Sequence, residues 1–428
     1  MISKSRIFPG MKSLYAQCKI LILLVASLYW EPMASPQIIA TITLEAGLHQ
    51  RNNTPVCIDI DQITSLPDSM LRLEEISGTQ HIPVPVQIES GRIRKLWWIV
   101  SGQLNAGGTR TYELIKGPSY MGEKQVKAKS ADGGLIVSVD NKNVLQYVFK
   151  TVYPPDGVDS SYRRSGFIHP LWSPQGAVLT NIQPRDHYHH YGIWNPWTET
   201  EFEGREIDFW NLARKLGTVR FKSFVSIVEG PVYGGFKALQ DHVIFPDSAE
   251  KTVMKETWDI RVYNLPADVF LWDFTSTLNL ATPSPLKIKE YRYAGFGMRA
   301  TADWTNASSK ALTSEGKTRK DADGSRARWC MINGETSKGL AGVLFMTCPT
   351  NYNFPEPVRM WPENANDGRG DVFFNFCPTK NMDWNLIAGR DYTLNYRIMV
   401  YKGDLSKESA EALWTDFAEP PVIKFSKK

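Results

Sequence analysis

Short runs of β-branched and aromatic residues recur along this chain, each closed by a cluster of Gly, Pro, Asn or Asp, and that punctuation leaves few folds open. Ile38 to Leu44, Val56 to Ile60, Leu135 to Val139 and Val144 to Val152 have the length and composition of strands. No helical segments alternate with them, so a parallel sheet with crossover helices is excluded and an all-β, antiparallel sandwich or barrel is expected. The single clear helix signal comes near the end. There Ser406 can cap a segment that places Ala410, Leu413, Trp414 and Phe417 on one face, suited to packing on a sheet edge.

A chain of 428 residues exceeds one minimal domain, so one large or two fused β modules are expected. A shift in composition over Gly122 to Gly134 divides an N-terminal β region, residues 35–130, from a C-terminal β-sandwich, residues 131–428. The polar stretch from Thr313 to Arg328 reads as an exposed loop. No internal repeat or coiled coil is present.

Lys4, Arg6, Lys12 and Lys19 precede the apolar run Ile20 to Trp30 and then Pro32, Met33, Ala34 and Ser35, the pattern of a signal peptide over residues 1–34. Eleven apolar residues are too few for the roughly 20 a spanning helix needs, so no integral membrane span is expected. Cys18 precedes that run, which leaves no lipid-attachment cysteine after it. A periplasmic or secreted protein is the consequence. Cys57, Cys330, Cys348 and Cys377 show no metal-knuckle spacing and are open to pairing or to remaining free thiols. With a net charge of only +4 and basic residues scattered among acids, nucleic acid is excluded as a partner.

Of seven histidines, His169, His187, His189 and His190 fall within twenty-two positions, in segments punctuated by Pro and Gly that read as loops on a rigid scaffold. Histidine gives and takes protons near neutrality, so this group beside Asp186 and Tyr188 forms a candidate acid and base set, with Arg185 a fork for a carboxylate or sulfate. If Asp186 to Tyr191 is extended, His187, His189 and Tyr191 share one face and Tyr188 and His190 the other. His187 and His189 facing one ion, completed by His169 or Asp186, is the alternative reading; the acid and base set needs no cofactor. Trp194 and Trp197 flank Asn195 and Pro196 in a turn, where partial exposure would let sugar rings stack on them, whereas Phe209 and Trp210 read as core. A second strip from Glu290 to Arg299 adds Tyr293 as a contact and Arg299 as an anion-reaching group, or equally a twisted strand with salt-bridged arginines.

His169-Pro-Leu-Trp-Ser-Pro-Gln-Gly, with Asp186-His-Tyr-His-His-Tyr-Gly-Ile-Trp, resembles the PmoA-like family of unknown function, common in bacterial polysaccharide-utilisation loci. Tyr293-Ala-Gly-Phe-Gly-Met-Arg and Leu386-Ile-Ala-Gly-Arg-Asp-Tyr-Thr-Leu-Asn-Tyr-Arg extend the resemblance to roughly Leu135 to Pro420. The sequence departs from the pattern at Tyr191, where a charged residue is common. The family's label echoes a membrane oxygenase subunit, a role excluded by the lack of spanning helices. What the resemblance implies is a β-supersandwich similar to those of sugar mutarotases and polysaccharide lyases, with the histidine segment lining a concave sheet.

The expected function is a lyase-type enzyme acting by elimination or dehydration on oligosaccharides, with His187 or His190 as base, Tyr188 as acid and Arg185 or His169 as stabiliser. Glycoside hydrolysis, including that of keto-modified glycosides, is the alternative; its two carboxylates would come from Asp186, Glu199, Glu201, Glu203, Glu206 and Asp208, none of them in a recognisable motif. A non-catalytic glycan-binding protein with Trp194 and Trp197 as its platform is the third reading. Oligomeric state is left open by the sequence.

Overall fold

Alternation of side chains decides which surface of each strand is buried, and the strand Val269–Leu280 shows it plainly. Phe270, Trp272, Phe274, Leu278 and Leu280 all point inward, each contributing about 1.5–3 kcal/mol by its burial. The computed structural model describes residues 37–123, 125–246 and 249–428; the signal peptide expected over residues 1–34, with Cys18 and the cleavage point near Ser35, lies outside them. The strand-rich chain with its antiparallel pairings is the all-β sandwich that the sequence predicts. Among the described residues no helix is long and apolar enough to cross a membrane.

Two eight-stranded sheets form the larger sandwich. The longer-stranded one runs Gly217–Val228, Tyr233–Ile244, Lys251–Tyr263, Val269–Leu280, Tyr392–Lys402, Ala341–Thr347, Trp329–Gly334 and Ser309–Thr313. The other, which carries the histidines, runs Val358–Met360, Phe373–Phe376, Gly297–Arg299, Ile193–Trp194, Phe167–Leu171, Lys142–Val148, Gly134–Val139 and Val126–Ala131. Ile168, Ile193, Met298 and Phe374 from this site-bearing sheet meet Trp258, Phe274, Phe345 and Ile398 from the long-stranded one in a shared core. The last three strands of the site-bearing sheet are joined by two-residue hairpins, Asp132-Gly133 and Asp140-Asn141, whose positive φ angles match the turn that right-twisted strands require.

Residues 38–116 supply seven of the eight strands of two smaller sheets, of five and three strands, that close on a separate core of Ile42, Leu44, Leu73 and Leu114 against Val56, Leu96, Trp98 and Val100. The chain returns to this region at its end, where Val422–Lys427 pairs antiparallel with Ile38–Glu45.

The helix Lys407–Ala418 is capped by the Ser406 side chain, which accepts from the Ser409 amide. It lies on a sheet face and not on the expected edge. The outward positions Met331, Leu344, Met346 and Met399 are apolar and need cover, which Ala410 and Trp414 supply, and the Trp414 indole donates to the Thr347 carbonyl at 2.9 Å. Thr313 to Arg328 is the loop expected, with Glu315, Gly316, Thr318, Lys320, Asp321, Asp323, Gly324 and Arg326 exposed, but Arg319 is drawn inward as a donor to four carbonyls of a neighbouring loop. Cys57, Cys330, Cys348 and Cys377 are free thiols.

Candidate functional site

Alternation also builds the floor of the site. In the site-bearing sheet Ile193 and Phe374 enter the shared core, while their chain neighbours Trp194 and Phe373 point to the opposite face and join Phe167, Tyr191 and Trp210. Trp194 and Trp197 are both 0 % exposed, which overturns their expected role as an open platform. Trp194 belongs to this aromatic floor, and Trp197 lies in the shared core against Trp384 at 5.6 Å. The turn between them is interior because the Asn195 amide is pinned by Glu256 at 2.7 Å and Ser276 at 3.1 Å.

The histidines sit on an excursion that leaves and rejoins this floor through the Ile182 and Tyr191 bridge. Two successive turns make it up, closed by the His187 amide on the Pro184 carbonyl at 2.9 Å and the His190 amide on the His187 carbonyl at 3.0 Å. The segment is therefore not extended, and the two-face separation expected for a strand is replaced by convergence. A turn brings its first and fourth residues together, so His187 and His190 stack at 4.7 Å, and His189 lies against both, at 5.4 Å from His187 and 4.8 Å from His190. Gly192 closes the excursion at φ +57°, where a Cβ would meet the Ile168 carbonyl at 2.2 Å.

Asp186 accepts from His187 Nδ1 at 2.8 Å, which leaves Nε2 as the ring nitrogen free for chemistry. The carboxylate is held in turn by Arg299 at 3.0 Å and by Asn366 at 2.8 Å. Arg299, 2 % exposed, is shared with Asp371 at 3.2 Å and lies over the Trp361 ring at 4.8 Å. Burial by itself would raise the Asp186 carboxyl, but the His187 hydrogen bond and the Arg299 charge outweigh it and hold the group below the usual carboxylate range. His189 is pushed down to about 4, first by burial and then by the neighbouring His187 charge. Burial likewise keeps His190 well below the ordinary histidine value, so both rings are neutral at neutral pH.

Above these rings lies a pocket of about 280 Å³. His187, His189, His190 and Trp361 line it together with Asn211, Tyr293, Arg292 and Arg359. Burial raises the Tyr293 phenol to about 12, so it stays protonated, and its hydroxyl donates to Asn211 at 3.1 Å. No Asp or Glu lines this pocket among the described residues. Asp208 is fully buried and is occupied by the Trp210 and Asn211 amides, while Arg214 gathers Glu199 and Glu206. Nor does any group of three or more His, Cys, Asp or Glu among the described residues form a metal-holding set, so the proposed three-ligand site at His187 and His189 is not assembled.

The remaining sequence candidates lie outside the pocket wall. His169 hydrogen-bonds Thr180 at 2.9 Å and is lowered to about 4 by burial. Tyr188 packs on Tyr162 at 5.6 Å, and Arg185 is exposed. Arg299 meets an anion, but the anion is Asp186. Arg292 belongs to the Glu290 to Arg299 strip, but sequence reasoning missed Asn211, Arg359, Trp361, Asn366, Asp371 and Phe373, which come from segments distant along the chain. The turn-rich stretch Pro362 to Asp371 marks a loop, yet nothing local ties it to the histidines; Arg319 does so in space by holding the carbonyls of Trp361, Pro362, Gly370 and Asp371.

Residues 135–415 match the model of a family described as being of unknown function, DUF6807. No curated protein matches the chain.

Proposed function

Since the chain belongs to this family of unknown function, its activity has to be argued from the site, and we propose that the histidine pocket is a lyase-type active site for oligosaccharides. The observation that carries the reading is the Asp186–His187 pair at the pocket: a carboxylate that fixes one imidazole nitrogen and leaves the other as a base. In the proposed step His187 Nε2 takes the proton from a carbon beside a carboxylate or keto group. The carbon–oxygen bond at the next position then breaks, and the Tyr293 hydroxyl gives its proton to the departing oxygen. Arg292, which lines the pocket, stabilises the charge that develops on the activating group in this scheme. An unsaturated sugar and an alcohol result, and no water is consumed.

Two further points support this reading. A pocket wall without carboxylates argues against two-carboxylate hydrolysis. The resemblance of the histidine segment to the PmoA-like family of polysaccharide-utilisation loci points to sugar as the substrate class. Export to the periplasm or medium, read from the leader, belongs to the same proposal; secreted material should lack roughly the first 34 residues by mass spectrometry.

The test is incubation with uronate-containing and keto-modified oligosaccharides followed by mass spectrometry. Elimination gives product masses that sum to the substrate mass, whereas a gain of one water would establish hydrolysis and overturn the proposal. Binding without turnover, equal in the native protein and a His187→Ala variant, would establish a glycan-binding protein instead.

A further inference from the structure

A second hollow, of about 630 Å³, opens beyond the segment that bounds the histidine pocket: Leu212 lines it, while Trp210 and Asn211 line the pocket. Arg164 forms part of its wall and is only 2 % exposed. One guanidinium nitrogen donates to the Phe209 carbonyl at 3.2 Å, Nε has no partner, and no carboxylate pairs with Arg164 among the described residues. Burial lowers this guanidinium to about 10, outweighing the opposing pull of Tyr191, Glu256 and Tyr147. A buried unpaired cation is among the costliest groups a fold can keep, and one facing a hollow is equipped for an anion that arrives from outside.

The surrounding groups point the same way. Lys215 is matched by Asp159 at 2.9 Å and Arg220 by Glu250 at 2.7 Å, so those two cations are already paired. Among the described residues Arg163 hydrogen-bonds the Ser160 carbonyl at 3.2 Å and forms no ion pair, although Glu250 feels its charge. The surplus positive charge in the wall therefore belongs to Arg163 and Arg164. The Thr218 and Ser161 hydroxyls are buried there without partners. At the rim Tyr153, 64 % exposed, offers a ring face.

We propose that this hollow binds one oxyanion carried on a sugar, a carboxylate or a sulfate ester, held by Arg164 and Arg163 with Thr218 and Ser161 donating, and with the sugar ring against Tyr153. The site is separate from the chemistry proposed at His187 and stands without it.

Calorimetric titration of the full exported chain with D-glucuronate, D-glucose 6-sulfate and D-glucose tests this. At least one anionic sugar should bind about tenfold or more tightly than glucose, the size expected of charge-assisted hydrogen bonds. Glucuronate alone would identify a uronate and the sulfate alone a sulfated sugar; binding of both would identify the oxyanion as the feature recognised. Arg164→Gln should abolish the preference; should that variant not fold, Arg163→Gln and Thr218→Val, closer to the surface or nearly isosteric, should each weaken it. His187→Ala should bind as the native chain does. The proposal is overturned if neither anion is preferred over glucose, if Arg163→Gln and Thr218→Val both bind unchanged, or if His187→Ala removes the binding.

Discussion

Two carboxylate–histidine pairs of nearly the same length differ in where they lie, one in the buried core of the sandwich and one at a pocket. Asp186 and His187 are 2.8 Å apart, with side chains 30 % and 32 % exposed, whereas Glu256 and His242 are 2.9 Å apart and 1 % and 0 % exposed. The inner pair has no oxygen to spare: one Glu256 oxygen accepts from His242, the other from Asn195, Ser276 and Trp258. Burial would raise the Glu256 carboxyl, and the His242 contact with these hydrogen bonds brings it below its ordinary value instead. The outer pair stands on a turn at a pocket and keeps one ring nitrogen open. Proximity of the two groups is thus common to both; access is what separates the structural pair from the one proposed as catalytic.

The largest expected effect comes from breaking the inner pair. Glu256→Ala leaves His242, Asn195, Ser276 and Trp258 without their acceptor in a dry core, at a cost of about 3–5 kcal/mol in urea denaturation. A cost below about 1 kcal/mol would show that the pair carries no structural load. Next comes the outer pair: His187→Ala should lower kcat roughly 10²- to 10⁴-fold while shifting stability by no more than about 1 kcal/mol, since its ring is partly exposed. Equal damage to folding and turnover would erase the contrast between the pairs. The smallest effect is a pH trend. His189 protonates at about 4 when folded but near the usual histidine value of about 6.5 when unfolded, so between those values the unfolded chain binds more protons. Stability should therefore fall as pH drops from about 6.5 towards 4, and a His189→Phe variant should show a shallower fall in its melting temperature.

The legibility of the site follows the same division between local and distant information. The density of histidines from His169 to His190 marked the right segment, and Asp186 beside His187 needed only adjacency. What failed was inference across a face: reading Asp186 to Tyr191 as a strand separated rings that two turns in fact bring together. Trp194 and Trp197 were read as exposed because Asn195 and Pro196 signal a turn, yet turn chemistry says nothing about what later covers it.

Sequence by itself determined the strand period, the Ser406 cap and the place where titratable groups are dense. These are properties of a few neighbouring residues, fixed by backbone sterics and side-chain spacing. The tertiary structure decided that Gly297–Arg299 lies beside Ile193–Trp194, and so that Arg299 reaches Asp186 from 113 residues away. It also decided that the loop held by Arg319 brings Trp361 to His187 and Asp371 to Arg299, and that Arg164 is buried at a hollow with no ion-pair partner among the described residues. Pairing between distant strands depends on the whole core being filled at once, and no window of sequence contains that condition.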